Sequence, residues 1–153
     1  MILADTNIWL ALTLSDHSFH AQAINWLDRQ SPKAPVAFCR STQQSFLRLL
    51  TTESVMRPHG VPPMTNDAAW AVYEGLRSDR RVAWAAEPDA DDVEARWRQF
   101  ASRGVASPKL WMDAYLAALA VVGGHRLVTI DKAFKQFAGL DVVVVTPKAT
   151  GRH

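Results

Sequence analysis

The chain has 153 residues, of which 48% are hydrophobic and six are tryptophan, enough apolar material for one packed domain and too much for a disordered segment. Seventeen Lys+Arg against fifteen Asp+Glu leave a net charge of +2, which is compatible with a polyanionic partner without requiring one. The lone Cys39 excludes an internal disulfide framework and a cysteine-built zinc site, and fits a reducing compartment.

Residues 1–4 are apolar and lead straight into Asp5, which reads as a short buried strand delivering a carboxylate at its carboxyl end. Asp5, Thr6 and Asn7 are also good helix-entry residues, so capping of the next helix is the plain alternative for them. Residues 8–14 and 17–29 suit a helical hairpin or bent helix, with Ala21, Ile24 and Leu27 on one side. Residues 36–39 form a second strand. Ser41 or Thr42 then caps a helix to about Thr51, whose buried face is Phe46, Leu47, Leu49 and Leu50. Residues 57–63 carry prolines and read as a loop.

Thr65 or Asn66 starts a helix to about Ser78, in which Trp70, Tyr73 and Leu76 have the spacing of a core or dimer contact. A strand at residues 81–85 precedes a helix from Pro88-Asp89 to Arg103, acidic at its start and basic later as the helix dipole favours. After a loop at 104–109, residues 110–122 are helical, and Gly123-Gly124 stop them. A strand at 126–130, a short helix at 132–137 and a strand at 142–145 complete the order. Short apolar strands alternating with helices predict an α/β fold: a three-layer α/β/α sandwich on a mostly parallel sheet. The expected organisation is a single domain over residues 1–147 and a tail at 148–153. No basic leader precedes the apolar start, and residues 8–14 are far shorter than the ~20 needed to span a bilayer, so a cytoplasmic, membrane-free protein is expected.

In such sheets, functional groups gather outside the carboxyl ends of the strands. Asp5 ends the first strand and Asp131 follows the fourth. Asp113 lies early in the helix preceding that fourth strand, so it overhangs the same edge, as do residues 42–44 in the helix after strand two. Three carboxylates converging on one rim repel each other and call for a cation. Mg²⁺ or Mn²⁺ suits a few hard oxygen ligands on an open rim, and can lower the pKa of a water and stabilise phosphoryl charge. No phosphate-binding glycine loop, serine elbow or zinc-protease helix competes with this reading. His17 and His20 lie three apart beside Asp16 and are assigned to surface packing.

Four stretches, MILADTNIWL, TQQSFLRLL, LWMDAYLAALA and LVTIDKAFKQF, resemble in that order the PIN-domain proteins of the VapC toxin group over nearly the whole chain. The resemblance implies a Mg²⁺- or Mn²⁺-dependent endoribonuclease that hydrolyses RNA with an activated water, forms a homodimer and is inhibited by a VapB-like antitoxin. It assigns Asp5, Asp113 and Asp131 as metal-site acids, and Asn7 and Thr129 as polar companions. Gln43 stands where many relatives carry a glutamate; it is expected beside the metal, offering a carbonyl oxygen or holding a metal-bound water, and a three-acid site is expected to bind metal more weakly than a four-acid one. Arg40, Arg48, Lys109, Lys132 and Lys135 flank the acid-bearing segments and are candidates for RNA phosphates. Trp111, two residues before Asp113, offers a ring that could stack on a base, but packing beneath the sheet edge is the expected role. The alternative is a catalytically silent module of the same fold that binds RNA or protein. A haloacid-dehalogenase-like phosphatase would need an acid where Asn7 stands.

Overall fold

The computed structural model describes residues 1–147; the expected tail lies outside the described residues. Five parallel strands, β1 (Ile2–Ala4), β2 (Val36–Phe38), β3 (Val82–Trp84), β4 (Arg126–Thr129) and β5 (Val142–Val144), lie in the order β3-β2-β1-β4-β5. Seven α-helices connect them: α1 (Thr6–Thr13), α2 (His20–Asp28), α3 (Arg40–Leu50), α4 (Glu53–Met56), α5 (Asn66–Arg77), α6 (Ala90–Ala101) and α7 (Leu110–Gly123). Because side chains alternate across a strand, Ile2 and Ala4 face one layer and Leu3 the other. The first layer packs α1, α2, α3 and α5 through Trp9, Trp26, Phe46 and Tyr73. The second packs α6 and α7 through Phe100, Leu116 and Leu119, joined by Phe134 and Phe137.

Crossovers between parallel strands are right-handed. The chain steps from β1 out to β3 with helices on one face, then returns past β1 to β4 with helices on the other. The strand order therefore reverses between β1 and β4, and the two connections leave a crevice at their carboxyl ends. This is the α/β/α sandwich expected, with every strand parallel.

Local differences from the sequence reading have local causes. α3 begins at Arg40, ahead of Ser41 and Thr42, because Cys39 occupies the cap position and the Thr42 hydroxyl accepts from its backbone N–H at 3.0 Å. α2 begins at His20; His17 sits before it, its Nδ1 accepting from the Phe19 N–H and its ring stacked on His59. α4 occupies residues left unassigned after the α3 helix, and the residues read as loop begin with a 3-10 turn, Arg57–His59, closed by Gly60 in the left-handed conformation at φ 73°. The short helix after β4 is a 3-10 turn, Lys132–Gln136.

Candidate metal and RNA site

β1 and β4 are paired so that Ala4 lies beside Val128, which brings Asp5 next to Thr129 and Asp131 just beyond. Thr129 is fully buried and organises this end of the sheet. Its hydroxyl donates to Asp5 Oδ2 at 2.8 Å and accepts the Asp131 backbone N–H at 3.0 Å. Asn7 closes the same seam, with Nδ2 3.4 Å from Thr129 Oγ1 and Oδ1 accepting from the Ile130 N–H at 3.3 Å. Asp5 does cap α1, as the plain reading had it, its Oδ1 accepting from the Thr6 N–H, whereas Asn7 bonds across to β4 instead; Asp131 caps the turn after β4 in the same way, Oδ1 accepting from the Ala133 N–H. Each cap uses one lone pair of a carboxylate with about four, so it fixes the group's direction and leaves acceptor capacity toward solvent.

Asp113 arrives from the first turn of α7, where its negative charge also suits the helix dipole. Its carboxylate has no hydrogen-bond partner among the described residues, and no ion pair there involves any of the three acids. Burial, with Asp5 and Asp131 adding negative charge, pushes the Asp113 carboxyl up to about 6. Burial also raises Asp5, opposed by the Thr129 hydroxyl and the Thr6 N–H. These are the conditions under which a carboxylate cluster gains most from a divalent cation. As the side chains stand, no three acids, histidines or cysteines among the described residues close around one point. Mg²⁺ and Mn²⁺ take hard oxygen ligands, keep several waters and need only one or two direct carboxylates. The donor set of hard oxygens therefore fits the ion.

The acids wall two adjoining clefts. One, of about 320 Å³, is bounded by Asp5, Asn7, Asp113 and Asp131, with Ser41, Thr42, Ser45 and Arg48 of α3 opposite. The other, of about 540 Å³, shares Asp113 and Asp131 and continues past Lys109 to Arg103 and Gln136. Of the basic candidates, Arg48 and Lys109 thus line a cleft with the acids. Arg40 turns the other way, its guanidinium 4.6 Å from the centre of the Trp84 ring and bonded to Gln43 Oε1 at 2.5 Å. Lys132 and Lys135 are exposed on the 3-10 turn and wall neither cleft.

Gln43 is buried and stands apart from the acids. At 3.6 residues per turn it lies ~160° around α3 from Ser41 and from Ser45, the residues that face the cleft. Trp111 does not pack beneath the sheet: it is 56% exposed, edge-on to Trp97, whose Nε1 donates to its carbonyl. Met112 (59% exposed) is the neighbour that reaches the acid cleft. Sequence reasoning missed Ser41, Ser45 and Arg103. The two serines share the face of α3 that carries Arg48 and lacks apolar residues until Leu49, which was a readable sign.

An all-parallel sheet whose strand order reverses beside three carboxylates that form no ion pair among the described residues marks an α/β protein whose ligand site is the carboxyl edge of the sheet. The PIN domain model matches residues 2–140, and the chain belongs to that family. It is 52% identical over 143 residues to "Ribonuclease VapC41" of Mycobacterium tuberculosis, covering 93% of this chain and 97% of that protein. Among solved structures, the fold is similar to Mycobacterium tuberculosis VapC20, described as a sarcin-ricin loop cleaving toxin. There the TM-score is 0.60 at 21% identity, over 92% of this chain and 98% of that one. It is similar also to VapBC2 of Rickettsia felis bound to a DNA fragment of its promoter, with TM-score 0.60 at 13% identity, over 94% and 98%.

Proposed function

We propose that the protein is an endoribonuclease toxin of a VapBC-type toxin–antitoxin pair, that residues 1–147 act as one domain, and that Asp5, Asp113 and Asp131 form its catalytic metal site. The observation that carries the reading is the placement of three unpaired carboxylates at the switch point of a PIN fold, in a chain 52% identical to a ribonuclease over nearly its full length. Mg²⁺ or Mn²⁺ held by these acids supplies positive charge for the phosphoryl oxygens and lowers the pKa of water. Thr129 and Asn7 hold the β1 and β4 ends in register, so Asp5 and Asp131 keep fixed directions. Arg48 and Lys109, on opposite sides of the acids, bind backbone phosphates and set the strand's position.

The antitoxin reading is supported by the Rickettsia VapBC2 likeness. A homodimer is supported by the half-exposed Trp70, set edge-on to Tyr73 at a shallow groove of mixed character, lined by Leu47 and Ala69 together with Arg48, Thr51 and Asn66. No helix among the described residues is long and apolar enough to cross a membrane, and the cytoplasm, where RNA is the substrate at hand, is the working location. The test is expression in a bacterial host without a partner. Growth should stop, RNA purified from those cells should carry new cleavage ends, and Asp113→Ala should abolish both. Equal harmlessness of the two proteins, with Mn²⁺-independent RNA binding by both, would establish the silent binding module instead.

A further inference from the structure

We propose that Arg103 is a substrate-positioning residue that grips an RNA phosphate on the far side of Asp113 and Asp131 from Arg48, so that the strand crosses the acids rather than ending at them. The inference rests on the ribonuclease reading and extends it to the path of the substrate. Arg103 belongs to the loop after α6, and its guanidinium is held in place by three neutral oxygens. Nη1 donates to the Phe100 and Ser102 carbonyls at 3.2 and 2.8 Å, and Nη2 donates to Gln136 Oε1 at 3.2 Å. No carboxylate neutralises it among the described residues. By contrast, Arg81 and Arg98 are each tied to acids. A guanidinium fixed by neutral acceptors keeps its full charge, and its ordering cost is met before any ligand arrives.

Its location gives that charge a purpose. Arg103 and Lys109 line the cleft that shares Asp113 and Asp131, while Arg48 lines the adjoining one. Gln136, which orients Arg103, sits on the 3-10 turn that Asp131 caps, so the positive group and the acid are fixed to one short element. A polyanion in both clefts meets cations on either side and carboxylates between them. A mononucleotide or a terminal phosphate would occupy one cleft only.

The test uses a labelled single-stranded RNA that the wild-type protein cleaves, with binding measured by fluorescence anisotropy in Ca²⁺ across a salt series. Arg103→Gln should weaken binding 5- to 20-fold, and the slope of log Kd against log salt should fall by about 0.7, the value for one lost phosphate contact on a single strand. Arg103→Lys should recover most of the slope, and kcat should change less than KM. A methylphosphonate placed at successive positions should weaken wild-type binding at one site beside the scissile bond and leave the Arg103→Gln protein indifferent there. If the salt slope is unchanged while both variants melt lower, Arg103 only caps α6 and the inference fails alone. If Arg103→Gln weakens capture of the antitoxin but leaves RNA affinity intact, the inference is likewise overturned. Failure of the wild-type protein to bind or cut any RNA removes the ribonuclease reading, and this inference with it.

Discussion

Replacing Asp113 by asparagine removes one of three like charges while keeping the side chain's shape, so its effect on the metal-free protein follows from electrostatics. Burial, with Asp5 and Asp131, lifts this carboxyl from an ordinary 3.8 to about 6. The folded protein therefore holds its proton more tightly than the unfolded chain does. Between about pH 4 and 6 the folded state binds more protons, so stability falls as pH rises through that window and is level above it. At about 1.4 kcal/mol per pKa unit the ceiling is roughly 3 kcal/mol. The side chain is partly open at the rim, and screening brings the expected cost to about 1–2 kcal/mol. In chelator at pH 7.5, Asp113→Asn should accordingly melt about 3–6 °C above wild type, since 1 kcal/mol shifts a domain of this size by about 2–4 °C. At pH 4 the difference should close. Added Mg²⁺ should reverse the order, because wild type gains more from binding than a variant with one ligand weakened. Scanning calorimetry across pH, with and without Mg²⁺, reads all three. An Asp113→Asn protein that melts below wild type in chelator at pH 7.5 would show that the acids do not strain the fold.

Gln43→Glu should leave the Mg²⁺ dependence of melting unchanged, because the new acid would meet Arg40 rather than the cluster. Ser45→Glu, on the face that lines the acid cleft, should tighten Mg²⁺ binding and lower the melting temperature in chelator. The opposite pattern in titration calorimetry would mean that α3 is rotated from its described phase. Thr129→Val keeps the volume of a fully buried side chain but strips Asp5 of a donor and the Asp131 N–H of its acceptor. It should cost about 2–3 kcal/mol in urea unfolding and weaken Mg²⁺ binding, with Thr129→Ser near wild type. A loss below ~0.5 kcal/mol would remove Thr129 from the organising role.

The strands were legible because a both-sided parallel sheet leaves unbroken apolar runs, and Asp5 and Asp131 are legible wherever such a run ends in an acid. Asp113 needed one further step, the antiparallel course of α7 over β4. The phase of α3 was also written in the chain: Gln43, Phe46 and Leu50 are buried at helical spacing, which makes Gln43 the polar end of a core stripe. A position matched to a family pattern outweighed that spacing in the sequence reading, and the spacing is the physical constraint. Arg103 had no comparable mark. Its neighbours Phe100 and Ser102 are local, but Gln136 lies 33 residues away, and the missing carboxylate partner is a fact of three-dimensional placement. Trp111 was misplaced because a large aromatic ring was assigned to packing by default, whereas the core of α7 is carried by its alanines and leucines.

The arrangement of cations around the acids has a logic of its own. An arginine bonded directly to Asp113 would offset the burial and the neighbouring negative charge that raise its pKa, and would stabilise the metal-free fold. It would also fill the acceptor sites that a divalent ion needs, and the ion would have to displace it. The chain instead holds Arg40 over Trp84 and Arg103 on carbonyl oxygens, and spends its carboxylate–arginine pairs elsewhere. The cluster is left short of positive charge while the approaches to it are not. A ligand that satisfies both needs must bring a divalent cation to the centre and negative charge to the flanks, and a metal-associated phosphodiester strand does this at once. Metal and RNA binding should therefore each strengthen the other, and mutually tighter binding of Ca²⁺ and uncleaved RNA is the equilibrium expression of that coupling.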